Sequence, residues 1–255
     1  MFPYRDDNVS LRTPLVTYGL IAANVAAWVL VQGAGSPLAL ARSVCDLGLV
    51  AGELTGQLRP GTAFPMGEGL ACVVDPGPQP LHVLTHMFLH GSWMHLLGNM
   101  WFLWIFGNNV EDSMGHFRFV VFYVVCGLAA AVLQVFLTPT SGVPMVGASG
   151  AISGVMGGYV VLYPRARVYV LLPLGFFLTT VAMPAWTMIG YWAFIQLFSG
   201  VVSLGAQGEA GGGVAFWAHI GGLIGGVLLV RLFAREDYIR EHRAHHWVPK
   251  RLGWH

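Results

Sequence analysis

Charge is what this chain has least of. Asp, Glu, Lys and Arg make up only 10% of its 255 residues, against about 25% in an ordinary soluble domain. So few charges cannot cover a watery surface, which excludes an ordinary soluble globule. A net charge of +1 says little about partners, and no basic patch with interleaved aromatics points to nucleic acid. No internal repeat and no intramembrane charge pair suggest a transporter. What the chain has instead is apolar: 55% of residues are hydrophobic and the mean hydropathy is +0.63. The bilayer is the natural alternative solvent for such a composition.

Six runs are long enough to span, since about 20 apolar residues cross a hydrocarbon core of about 30 Å. They are residues 15–32, 93–108, 117–138, 148–163, 185–204 and 214–234. The first has no convincing small-residue cleavage site, so it is expected to be retained rather than removed as a signal. Positive charge then sets the orientation. Arg5, Arg12, Arg118, Arg165, Arg167, Arg231, Arg235, Arg240, Arg243, Lys250 and Arg251 fall on one side, and only Arg42 and Arg59 on the other. Cytoplasmic loops collect Lys and Arg, so both termini are expected inside.

The first outside loop, 33–84, is long and rich in Gly and Pro, and loops of that length are usually functional or carry structure of their own. It holds Cys45 and Cys72. On an oxidising side these either close the loop as a disulfide or stand as two separate buried thiols. Cys126 lies within a span and reads as a packing residue. The apolar stretch 168–184 is interrupted by Pro173, Gly175 and Pro184. Such punctuation discourages a spanning helix, and an extra span would carry His219 to the wrong face, so an interfacial or re-entrant stretch is expected.

Polar side chains at membrane depth are costly and need a reason. His95 and Asn99 lie in the second run, Ser149 opens the fourth, and His219 is near the start of the sixth. All three runs pass from outside to inside, so these groups share one shallow depth near the outer face. Ser149, Ser153 and Gly157 recur on one helical face beside Gly150 and Gly154, while Gly222 and Gly226 follow His219. Small residues at this spacing let membrane helices pack backbone to backbone. Two such faces bring a serine within reach of a histidine base, as nucleophilic attack requires.

From Ser149 to Tyr163 the fourth run rises only about 22 Å at ~1.5 Å per residue, which sets Ser149 below the membrane surface. Free N–H groups at that helix start, with His95 or Asn99, suit an oxyanion. No Asp or Glu lies in a span to orient His219, so a dyad is expected. The bland readings are a packing serine, a histidine serving proton relay or metal binding, and a metal site on His86, His90 and His95. Hydrophobic surroundings and few carboxylates favour hydrogen bonding over metal. His242, His245 and His246 read as part of a solvated tail. A soluble-type esterase elbow would need Gly where Ala151 stands.

These motifs resemble those of the rhomboid family of intramembrane serine proteases. Gly147-Ala148-Ser149-Gly150 matches the family's G-x-S-G nucleophile motif, and Ala218-His219-Ile220-Gly221-Gly222 through Gly226 resembles its sixth-helix histidine motif. His95-Leu96-Leu97-Gly98-Asn99 matches its H-x-x-x-N, His86 and His90 resemble the run before it, and Glu111 falls where members often carry a bracing Glu. The resemblance covers about 12–234. It implies an all-α polytopic membrane protein, a six-helix bundle with a long first outside loop, flanked by a cytoplasmic segment (1–12) and a basic cytoplasmic tail (235–255).

It also implies a hydrolase that cuts single-span membrane-protein substrates in or near their transmembrane helix, at the outer face of a plasma (bacterial inner) membrane. In this reading Ser149 attacks, His219 moves the proton, and His95, Asn99 and the Ser149 backbone N–H hold the oxyanion. Neither cofactor nor metal is called for, and the partners are substrate and lipid bilayer. The rival is a non-catalytic adaptor or chaperone on the same helices. Two departures stand out: Ser153 occupies a position that is often Tyr beneath the histidine ring, and the first loop lacks an evident Trp-Arg pair. Trp186, Tyr191, Trp192 and Phe194 make the fifth run the candidate substrate gate.

Overall fold

Long apolar runs without interior proline coil where water cannot satisfy the backbone, and in the computed structural model they form most of the chain. Residues 2–67, 69–174, 177–205 and 215–246 are described. The helices are α1 (Leu15–Leu30), α2 (Pro37–Leu47), α3 (Ala51–Leu54), α4 (His82–Thr85), α5 (Trp93–Met114), α6 (His116–Leu137), α7 (Ser149–Leu162), α8 (Ala185–Gly205), α9 (Phe216–Phe233) and α10 (Glu236–His246). Among the described residues, His116–Leu137, Ala185–Leu204 and Phe216–Phe233 are long and apolar enough to cross a membrane, while α1 and α7 are apolar but shorter.

The all-α expectation is corrected to mostly helical, because five strands accompany the helices among the described residues. They are β1 (Phe2–Asp6), β2 (Ala63–Gly67), β3 (Leu70–Val73), β4 (Arg167–Leu174) and β5 (Phe177–Pro184). The interrupted stretch 168–184 is an antiparallel hairpin, and β1 adds to its other edge in the order β1-β4-β5. Its alternation explains this better than its prolines do. Val168 and Val170 are fully buried while Tyr169 between them is only partly so, the period of two that a strand with one covered face requires. β1 meanwhile covers a backbone edge that would otherwise stay unpaired.

The first loop carries structure of its own. It folds into α2, α3, the β2–β3 hairpin and α4, and Cys45 of α2 is disulfide-bonded to Cys72 of β3. Cys126 is a free, buried thiol on α6.

α5 runs to Met114, past the expected end at 108, and its last turn explains why. Glu111 is buried at 1% exposure. Its carboxylate accepts the N–H groups of Val16 (2.9 Å) and Thr17 (2.8 Å) and the Thr17 hydroxyl (2.7 Å). It thereby caps the free donors of α1. Next to it Asp112 accepts the N–H groups of Leu11 and Arg12 and pairs with the Arg12 guanidinium at 3.2 Å. Only Gly115, at φ +79°, separates α5 from α6, a backbone state that suits glycine.

The N-terminal segment is tied down rather than trailing. Trp101 Nε1 donates to Pro3 O at 2.7 Å, and Tyr159 and Asn109 both donate to Asp6 Oδ2. At the other terminus, the expected solvated tail is helical through α10, and His242 is corrected to buried: it is 3% exposed, with its ring 4.9 Å from that of Tyr163. The side chains of His245 and His246, and residues 247–255, lie outside the described residues.

α6, α7 and α9 form the tightest part of the bundle. A Cβ built on Gly222 would collide with the Gly150 carbonyl oxygen, and one on Gly226 with that of Gly154. Gly150 in turn packs on Ala130 of α6, and Gly154 on Cys126. Backbone therefore meets backbone between α7 and α9, which fixes the relative height of the residues at their starts.

Candidate active site

Ser149 is the first residue of α7. The segment before it is anchored on both sides: Leu49 and Met145 exchange backbone hydrogen bonds at 3.0 and 2.8 Å, and Gly147 N–H donates to His86 O at 2.9 Å. Gly147 adopts φ +128°, and a side chain there would meet His95 Nε2 at 2.8 Å. Glycine at this position is thus what lets the His95 ring lie beside the serine. The first N–H to bond back within the helix is that of Ile152, to Ala148 O. The Ser149 and Gly150 N–H groups take no partner among the described residues.

His219 reaches the serine from α9. Its Nε2 lies 2.8 Å from Ser149 Oγ, within the range for transfer of the hydroxyl proton. Gln134 of α6 holds the start of α9, with Oε1 accepting the Ala218 N–H at 3.1 Å. The other ring nitrogen, Nδ1, lies 2.7 Å from Gln196 Oε1 on α8, and the Trp192 ring lies 5.7 Å away at 41°. Ser153 leaves the ring unsupported from α7 and bonds along its own helix, donating to Ser149 O at 2.6 Å.

His95 and Asn99 stand one turn apart on α5, on one face. Gly91 N–H donates to His95 Nδ1 at 3.3 Å, so in the neutral ring the hydrogen sits on Nε2, the nitrogen nearest Gly147. Asn99 is buried at 8% exposure, and its Nδ2 has no hydrogen-bond partner among the described residues. An unpaired buried amide donor is costly as structure and useful where negative charge develops.

His90 packs its ring edge-on to His95 at 5.1 Å, and Gln32 clamps the His90 backbone with two 2.8 Å bonds. The imidazoles of His86 and His90 are buried and lack hydrogen-bond partners among the described residues. No group of three or more His, Cys, Asp or Glu among those residues is placed to hold a metal.

Gln196 is the site residue that sequence reasoning missed. Its signal was available: an amide within an apolar run is as costly as the other polar groups that were singled out.

The family model described as Rhomboid domain matches residues 77–236, which include Ser149, His219, His95, Asn99 and Gln196. The chain belongs to the rhomboid family. It is 30% identical over 160 residues to Rhomboid-like protein 11, chloroplastic, of Arabidopsis thaliana, covering 60% of this chain and 52% of that one. With Rhomboid-like protease 5 of Toxoplasma gondii it shares 32% identity over 150 residues, 57% of this chain and 15% of the relative. Rhomboid protease GlpG of Salmonella choleraesuis is 38% identical over 74 residues, 29% of this chain and 25% of the relative. The chain thus spans about half of the chloroplastic relative and less of the other two. Two of the three are named as proteases, and this rhomboid is a membrane protein by family and by its apolar helices.

Proposed function

We propose that this rhomboid is an intramembrane serine endopeptidase working through a Ser149–His219 dyad. The observation that carries the reading is the 2.8 Å hydrogen bond between Ser149 Oγ and His219 Nε2. As Ser149 attacks a carbonyl carbon, His219 takes its proton and then returns it to the leaving amine. The oxyanion is held by the Ser149 N–H, His95 Nε2–H and the Asn99 amide, a role that the unpartnered Asn99 Nδ2 supports.

In this reading α1, α5, α6, α7, α8 and α9 are six spans of a domain at 13–234. Segment 1–12 and tail 235–255 are cytoplasmic, and the dyad opens toward the outer face of a bacterial inner membrane. The skewed distribution of Lys and Arg supports that orientation. Substrates are single-span membrane proteins whose helix unwinds near the cut, because a helical carbonyl is engaged by the N–H four residues on. Entry past α8 is supported by its outward aromatics, with Trp186, Tyr191 and Phe194 exposed at 58%, 47% and 62%.

The test is cleavage of a reporter transmembrane segment by protein purified in detergent. Wild type is expected to cut, and Ser149→Ala and His219→Ala to lose the activity. Full cleavage by Ser149→Ala overturns the mechanism, while binding without cleavage by wild type identifies a non-catalytic adaptor.

A further inference from the structure

We infer that Gln196 is the positioning residue of this site, holding His219 in the one neutral form that can act as base. The inference rests on the reading of Ser149 as nucleophile and His219 as base, and adds a third member that carries no charge.

A neutral imidazole has one N–H and one bare nitrogen, and only the bare nitrogen can receive the serine proton. Gln196 Oε1 lies 2.7 Å from His219 Nδ1. An amide oxygen can only accept, so the hydrogen sits on Nδ1. Nε2 then turns a lone pair toward Ser149 Oγ at 2.8 Å. The opposite form would set two lone pairs against each other at Nδ1 and aim an N–H at the hydroxyl oxygen. One hydrogen bond thus decides both which nitrogen is basic and where it points. No carboxylate among the described residues hydrogen-bonds this ring. A buried carboxylate would have to be desolvated as an ion, whereas an amide orients the ring at far lower cost.

The position of Gln196 also answers what supports the ring. Ser153 spends its hydroxyl on the Ser149 carbonyl, so α7 offers His219 no stacking partner there. α8 supplies the support instead: Trp192 and Gln196 lie one turn apart on a single face, the first against the ring at 5.7 Å and the second on Nδ1. Only 17% of the apolar stretch of α8 is buried against the rest of the protein, compared with 33% for α6 and α9. The ring is therefore oriented by the most loosely embedded of these three helices, and the dyad is aligned only while α8 is seated against α9.

The test compares Gln196→Met, which keeps the length and removes the amide, with Gln196→Glu, which keeps an acceptor oxygen. Cleavage of the reporter segment by Gln196→Met is expected to fall at least about tenfold in kcat with KM within about twofold, since proton transfer is lost and substrate binding is not. Gln196→Glu is expected to restore most of kcat. Alongside, nitrogen NMR of the imidazoles in detergent, recorded on Ser149→Ala protein, is expected to show His219 protonated on Nδ1 with Gln196 present and to lose that preference in Gln196→Met. Unchanged kcat in Gln196→Met, or a His219 ring protonated on Nε2 beside Gln196, overturns the inference. Cleavage by Ser149→Ala would overturn the dyad instead, and the NMR arm, which needs no activity, would still decide Gln196.

Discussion

Gly222 of α9 lies so close to the carbonyl oxygen of Gly150 on α7 that a Cβ at Gly222 would collide with it. Ser149 is the immediate neighbour of Gly150, and His219 is less than a turn before Gly222, so the height at which the two backbones touch sets the distance between the two side chains. Gly222→Val is expected to push α9 outward and separate Nε2 from Oγ. A displacement of about 1 Å at reacting groups costs on the order of a hundredfold in rate, with a further ~1–3 kcal/mol of stability lost to overpacking. Gly19→Ala is the control, because nothing lies within 4 Å of a Cβ there and alanine favours a helix. Reporter cleavage and thermal unfolding in detergent, measured on both variants, check this. Wild-type cleavage by Gly222→Val would show that the glycine contact does not set the dyad.

His95 and Asn99 stand on a different helix from the serine, and their contribution is separable. His95 presents an Nε2–H because Gly91 occupies Nδ1, and Asn99 presents a buried amide without a partner. Neither group has charge to meet until the carbonyl becomes tetrahedral. His95→Ala and Asn99→Ala are therefore each expected to lower kcat by about 10²–10³ while KM changes little. Steady-state kinetics on the reporter segment measure this, and an effect confined to KM would assign these residues to substrate binding instead.

What the sequence made legible was set by chemistry that announces itself along one helix. Apolar runs marked the long helices, and Ser149, His95 and His219 drew notice because polar groups are rare at that depth. Features that depend on a distant partner stayed hidden. β1 is a strand only because β4 lies beside it, and the hairpin that follows α7 was masked by prolines that suggest a broken helix. Glu111 was noticed for its place beyond Asn99, but its work as a cap for α1 needs the two helix ends to meet. His242 looked solvated within a charged segment, yet α10 folds back to lay it on Tyr163. Gln196 was legible as a cost but not as a partner, since nothing in the spacing of 196 and 219 brings an amide to an imidazole.

The Cys45–Cys72 bond ties α2 to β3 within the segment that braces Met145 through Leu49. Closing a loop of 27 residues corresponds to about 3–4 kcal/mol in the chain-entropy view. Denatured protein is expected to show one reactive thiol without reductant, that of Cys126, and three after reduction. The Cys45→Ser, Cys72→Ser pair is expected to lower the unfolding temperature and to leave the Ser149–His219 contact in place, because Ser149, His219, His95, Asn99 and Gln196 all lie outside residues 45–72. Equal labelling with and without reductant would show that the thiols are separate.

Asp6 supplies the pH-dependent element at the far end of the bundle. Burial pushes its carboxyl up to about 7, although the Tyr159 hydroxyl donates to Oδ2 at 2.5 Å and Asn109 Nδ2 donates at 3.0 Å. A carboxyl whose folded value lies above its ordinary value of about 3.9 stabilises the folded state most when protonated. That stability is complete below about pH 4 and is lost as pH rises through about 7. Docking of β1 on β4 is therefore expected to loosen between mildly acidic and alkaline pH, with Asp7 next to Asp6 adding repulsion once both are ionised. Hydrogen exchange of the β1 amides, corrected for the intrinsic pH dependence of exchange, measures this. Asp6→Asn, which keeps an oxygen for Tyr159 and cannot ionise, is expected to hold its protection across the range. If wild type and Asp6→Asn lose protection in parallel, the carboxyl is not what fastens the strand.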